Sequence, residues 1–258
     1  MLNAKCFADP TAIRNNRYLR MTFVAQKQKS KHQHYPVLTR LRKKAVKSLL
    51  IVAIALSTPA ISFAETTVVA VLGDSLTKGF GLRKQKGFVP VLQNWLTEQG
   101  EDVFLINEGR SGRTTTGGLT RIQAVLTPNI DALIIELGGN DMLRKADPSI
   151  IRNNLSRMIR IAKNRDIPIL LVGVKANKRY PVEFRSSFNR NYPDLAKEFD
   201  ILLYPNFFAA LYRDREQTRI NYRFMLLDRI HPNSRGVVKV VNDIGPLVQK
   251  LIARSKLK

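Results

Sequence analysis

From residue 66 onward, short runs of β-branched and aliphatic residues alternate with longer stretches whose apolar residues recur at helical spacing. Residues 66–72 (TTVVAVL) read as a buried strand, and within 88–98 the residues Phe88, Val91, Leu92, Trp95 and Leu96 share one helical face. Further strands are expected near 103–106 and at 132–137, 168–174 and 201–204, with helices near 118–126, 148–164, 181–198 and 234–254. Strands separated by helices run parallel, and a parallel sheet needs cover on both faces. The pattern therefore specifies an α/β fold. No internal repeat, low-complexity linker or second domain interrupts it, so 65–258 reads as one domain. Open parallel sheets bind ligands beyond the carboxyl ends of their strands, which is where polar residues of this chain deserve most weight.

Residues 1–64 obey a different rule. The chain has 43 basic and 20 acidic residues, a formal charge of +23, and this leader holds twelve basic residues against the single acid Asp9. A surplus of +11 thus sits in the leader and +12 in the remainder. Arg40, Arg42, Lys43, Lys44 and Lys47 precede an apolar run at 48–56, then Pro59 and the small residues Ser62 and Ala64. This is the pattern of a secretory signal peptide, with cleavage expected between Ala64 and Glu65 and a periplasmic or secreted product. The alternative, an uncleaved membrane anchor, meets an apolar run well short of the roughly 20 residues that span a bilayer. Met21 offers an internal start. Cys6, His32 and His34 all lie in the leader, so the mature chain has no thiol and one histidine, His231.

Four polar clusters carry possible chemistry. Gly73-Asp74-Ser75-Leu76-Thr77 follows the first strand, where a serine hydroxyl and its backbone N–H are both presented; Asp74 or Ser75 as an ordinary helix cap is the competing reading. In 107–118 (NEGRSGRTTTGG), Gly112 can bring a backbone N–H close to a substrate, or simply form a flexible turn. Arg110 and Arg113 flank it, suited to an anionic group on a substrate or to solvent. Gly138-Gly139-Asn140-Asp141 follows the third strand and offers the Asn140 amide as a donor, although turn chemistry favours the same residues. In Asp228-Arg229-Ile230-His231, the aspartate can hold one ring nitrogen while the other accepts a proton from a serine.

The order and local sequences of these clusters resemble the four blocks of the GDSL, or SGNH, hydrolases: GDSL at 73–76, the glycine at 112, GGND at 138–141 and DRIH at 228–231. The resemblance spans 66–254, and ELGGND at 136–141 and YPDLAKEFD at 192–200 look most like the bacterial periplasmic thioesterase, lysophospholipase and arylesterase branch. It implies a flavodoxin-like three-layer α/β/α sandwich around a sheet of about five strands. It also implies a serine hydrolase of acyl esters or thioesters, with Ser75, Asp228 and His231 catalytic and Ser75, Gly112 and Asn140 forming the oxyanion hole. Arg110 and Arg113 depart from that branch, which usually has small or acidic residues there.

Two other functions fit less of the sequence. A carbohydrate esterase that removes acetyl groups from polysaccharide could use the same triad. A basic anion-binding module would use the +12, but the basic residues are dispersed and no aromatic-interleaved nucleic-acid motif is present. No nucleic-acid partner, cofactor or metal is expected, since one histidine and scattered carboxylates form no ligand set at metal-site spacing. The expected partners are a small acyl-ester or lipid substrate and, weakly, an anionic membrane surface, with the protein a monomer. Phe80, Leu82, Met142 and Leu143 either line an acyl pocket or pack the loops onto the core.

Overall fold

The computed structural model describes residues 65–214 and 219–257. The leader, its cleavage site and the alternative start at Met21 lie outside the described residues. Five strands, β1 (Thr67–Gly73), β2 (Val103–Gly109), β3 (Ala132–Glu136), β4 (Ile169–Val172) and β5 (Leu202–Tyr204), form one parallel sheet in the order β2-β1-β3-β4-β5. All five residues of β3 are buried, and Val69 to Leu72 of β1 are completely so, as strands covered on both faces require.

Among the described residues, eight α-helices accompany the sheet: α1 (Ser75–Lys78), α2 (Phe88–Glu98), α3 (Thr115–Leu119), α4 (Ile122–Val125), α5 (Gly139–Leu143), α6 (Pro148–Lys163), α7 (Val182–Phe199) and α8 (Ser234–Ser255). Helices α2 and α8 pack on each other, as do α6 and α7, with α3 against α6. Leu92, Leu96, Val240 and Ile244 on the first pair and Leu155, Ile159, Phe188 and Leu195 on the second are buried in the common core. None of the helices in the described residues is long and apolar enough to cross a membrane.

The register positions the site. Gly73, the last residue of β1, lies level with Gly109 of β2 and Glu136 of β3. The segments beginning at Asp74, Arg110 and Leu137 therefore leave the sheet side by side. The chain passes from β1 to β2 on one side and to β3 on the other, so this end of β1 is the topological switch point, where the crevice of an open α/β sheet forms.

Three differences from the sequence pattern are local. β2 runs to Gly109 rather than 106, because its pairing with β1 continues to the end of both strands. The helix expected over 118–126 is two short ones: Thr114 caps α3 by accepting from the Gly117 N–H at 3.3 Å, so the first starts before Gly118, and it ends at Leu119, with two residues between it and α4. Gly118 is also pressed against Leu137, whose Cδ1 would lie 2.3 Å from an added Cβ. The single-turn helices α1 and α5 are too short to leave a periodic signal.

Candidate active site

Asp74 follows β1 and caps α1, its Oδ1 accepting the Leu76 N–H at 2.9 Å. Ser75 is then the first helical residue and is half-buried, so an Asp74 cap and a presented serine hydroxyl coexist and the two readings of this cluster do not compete. Gly73 leaves room for the turn: a Cβ there would stand 1.9 Å from Thr77 Oγ1.

His231 reaches Ser75 from the segment before α8. Its Nε2 lies 2.8 Å from Ser75 Oγ, and its Nδ1 2.6 Å from Asp228 Oδ2. The other carboxylate oxygen, Oδ1, accepts the backbone N–H groups of Ile230 at 2.9 Å and His231 at 3.0 Å, so Asp228 holds the turn as well as the ring. The segment is fixed to α8 by Asn233, which accepts the Gly236 N–H and donates to the Arg223 and Met225 carbonyls. Burial alone would raise the Asp228 carboxyl, but hydrogen bonds from the His231 ring and from the two backbone N–H groups outweigh it and hold it below its ordinary value. It is therefore an anion throughout the neutral range. With Asp228 accepting from Nδ1–H, the Nε2 lone pair faces the serine hydroxyl.

The other two clusters are stitched to this core. The Arg110 N–H donates to the Gly73 carbonyl at 3.1 Å, and Gly112 has φ +75°, a conformation that favours glycine. Neither the Ser75 N–H nor the Gly112 N–H makes a hydrogen bond within the described residues. Asn140, in α5, differs from the open donor expected of it: its Nδ2 donates to Asp74 Oδ2 at 2.9 Å and to the Arg113 carbonyl at 3.1 Å. Arg144 adds a second tie between these loops, donating to the Gly112 carbonyl at 3.0 Å. Arg110, Arg113 and Arg144 are exposed, with no carboxylate paired to them among the described residues.

Of the apolar loop residues, Leu82 and Met142 pack against the core, whereas Phe80 is 49% exposed and Leu143 50%. The Phe80 ring lies 4.6 Å from the His231 ring, centroid to centroid, so it covers the histidine. The described residues contain no group of His, Cys, Asp and Glu arranged to hold a metal.

Sequence reasoning missed Glu136 and Arg144. Glu136 ends an otherwise aliphatic strand, ALIIE, and is completely buried beside α1, where it accepts the Thr77 hydroxyl at 2.9 Å. A lone carboxyl closing a buried strand was its signal. Arg144 gave none, because its bond to Gly112 depends on how two loops meet.

Residues 71–237 match the model of the GDSL-like lipase/acylhydrolase family. The esterase TesA of Pseudomonas aeruginosa is 31% identical over 183 residues, covering 70% of this chain and 88% of TesA. Thioesterase 1/protease 1/lysophospholipase L1 of Escherichia coli K12 is 30% identical over 184 residues, 70% of this chain and 83% of that protein. The crystal structure of AlinE4, an SGNH-hydrolase family esterase, superposes with a TM-score of 0.59 at 37% identity, covering 73% of this chain and 98% of AlinE4.

Proposed function

The chain belongs to the GDSL-like lipase/acylhydrolase family, a hydrolase acting on ester bonds, and on that premise we propose that Ser75, His231 and Asp228 are its nucleophile, base and orienting carboxylate. The observation that carries this reading is the unbroken contact from Asp228 Oδ2 through the His231 ring to Ser75 Oγ, at 2.6 and 2.8 Å. Ser75 Oγ attacks the carbonyl carbon of an ester or thioester as its proton passes to His231 Nε2, and Asp228 stabilises the imidazolium. The tetrahedral intermediate places its negative charge on the former carbonyl oxygen. The Ser75 and Gly112 N–H groups receive it, together with one Asn140 amide hydrogen that exchanges the Arg113 carbonyl for the substrate oxygen. His231 then returns the proton to the departing alcohol or thiol. Water, activated by the same ring, hydrolyses the acyl-serine and restores the enzyme.

Ser75→Ala is expected to lower kcat on a short-chain nitrophenyl ester by at least ~10,000-fold with the melting temperature preserved. Turnover retained in a folded Ser75→Ala protein refutes the assignment.

The leader supports export with cleavage after Ala64, giving a periplasmic or secreted enzyme whose amino terminus is Glu65. Exposed Arg110, Arg113 and Arg144 around Gly112, within a mature chain of +12, suit an acyl-ester substrate presented at an anionic lipid surface.

A further inference from the structure

The described structure buries three carboxyl groups, at Asp74, Glu136 and Asp141, and no lysine, arginine or histidine is among its buried residues. Asp141 is well supplied: the Thr115 N–H donates at 2.8 Å and the Thr115 hydroxyl at 2.6 Å. Asp74 accepts the Leu76 N–H and the Asn140 amide. Glu136 is the exception. Its Oε2 accepts the Thr77 hydroxyl, its Oε1 has no hydrogen-bond partner, and Asp74 directly follows Gly73, the β1 residue paired with Glu136, so the two carboxyl groups are neighbours.

Two ionised carboxylates side by side without a buried cation would each lose several kcal/mol of hydration and repel one another. A neutral carboxylic acid removes both costs, and its hydroxyl gives the orphaned oxygen a bond to make. We infer that Glu136 is a neutral acid whose Oε1–H donates to the Asp74 carboxylate, and that this bond makes Glu136 a positioning residue for the oxyanion donor Asn140. Asp74 is the intermediary: one oxygen is tied to the backbone of α1 and the other to Asn140 Nδ2, so fixing the Asp74 carboxylate fixes the amide next to Ser75. The inference rests on the proposed role of Asn140 for its catalytic half and on the buried geometry alone for the proton.

The groups facing the pair agree with this assignment. Burial, then the neighbouring Asp74 charge, push Glu136 well above the ordinary carboxylate range, and the Thr77 hydroxyl and the backbone N–H groups of Asp74 and Thr77 offset this only in part. Burial raises Asp74 to about 6, opposed by the Leu76 N–H, Asn140, His231 and Glu136. With two donors on its oxygens Asp74 is the better seat for the charge, and Glu136, with Oε1 unpartnered, for the proton. Tyr192, whose phenol is raised by burial and by Asp141, Glu136 and Asp74, stays neutral and donates to the Leu137 carbonyl at 3.0 Å.

The test uses the mature protein with Glu136→Gln and Glu136→Leu. Infrared spectra at pH 7, wild type minus Glu136→Gln, are expected to show the carbonyl stretch of a neutral carboxylic acid that the variant lacks. Kinetically, Glu136→Leu is expected to lose about tenfold to a hundredfold in kcat with KM within about twofold, and Glu136→Gln, which keeps an N–H donor, to recover most of that loss. Absence of the acid band at pH 7, or its persistence in Glu136→Gln, overturns the proton assignment. Wild-type turnover in a folded Glu136→Leu protein overturns the positioning role, and if that variant does not fold, a Glu136→Gln protein as impaired as Asn140→Ala does so instead. Activity surviving in Ser75→Ala would refute the catalytic reading while leaving the infrared band to judge the proton.

Discussion

Asn140 has two amide hydrogens and two acceptors, Asp74 Oδ2 and the Arg113 carbonyl, so its service to an oxyanion is an exchange of partners. Asn140→Ala is expected to cost about 100- to 1,000-fold in kcat with KM little changed, because the substrate oxygen gains its charge only in the transition state; an equal loss appearing in KM instead would mean that Asn140 binds the ground state. Asp228→Asn should lower kcat by ~10,000-fold at neutral pH, since the amide no longer selects the productive tautomer. These carboxyl groups also give stability a pH dependence with opposite signs. Asp228, with its carboxyl lowered, adds stability that is present above about pH 4 and is lost as pH falls through its lower folded value. Asp74 and Glu136, both raised, favour the folded state most below about pH 4, and that contribution is lost as pH rises through their raised folded values, about 6 for Asp74. Thermal melts of wild type and Glu136→Gln should therefore diverge in favour of the variant as pH rises above about 4; parallel curves would show that Glu136 does not titrate on unfolding. Ser75, His231 and Asp228 were legible in the sequence because each proposed role demands a residue type and residues 65–258 hold a single histidine. Glu136 and Arg144 were not, since their roles come from neighbours supplied by strand register and loop packing.

At the scale of elements, the parallel sheet and its long helices follow from apolar periodicity, and the observed strands and helices lie within a few residues of the expected positions. What periodicity cannot show is the level alignment of Gly73, Gly109 and Glu136, which brings three polar segments to one edge. Glycines mark where the elements meet most closely. Gly245 of α8 lies under the Trp95 ring of α2, with ring carbons 2.5 to 2.7 Å from where a Cβ would sit. Gly245→Val should destabilise the domain by about 1–3 kcal/mol through overpacking, seen as a lower urea midpoint with kcat preserved below the transition. An unchanged midpoint would mean that α2 and α8 separate more freely than their packing indicates.

For the whole molecule, a charge of +23 would suit a nucleic-acid partner, but it divides into +11 in a leader that reads as an export signal and +12 in residues 65–258. The mature chain is expected to bind vesicles rich in anionic lipid at low salt, more weakly as the screening length shortens from about 30 Å at 0.01 M to about 8 Å at 0.15 M. Equal binding to neutral vesicles would assign the association to apolar contacts such as exposed Phe80 and Leu143 instead. The central claim, that the Asp228–His231 pair activates Ser75 as a nucleophile, is tested most directly by reacting the mature protein with a phosphonylating ester and mapping the modified residue by peptide mass spectrometry. The account predicts one phosphonyl group per chain, carried by Ser75, and none in His231→Ala; modification of a different residue, or equal labelling of the His231→Ala protein, would contradict it.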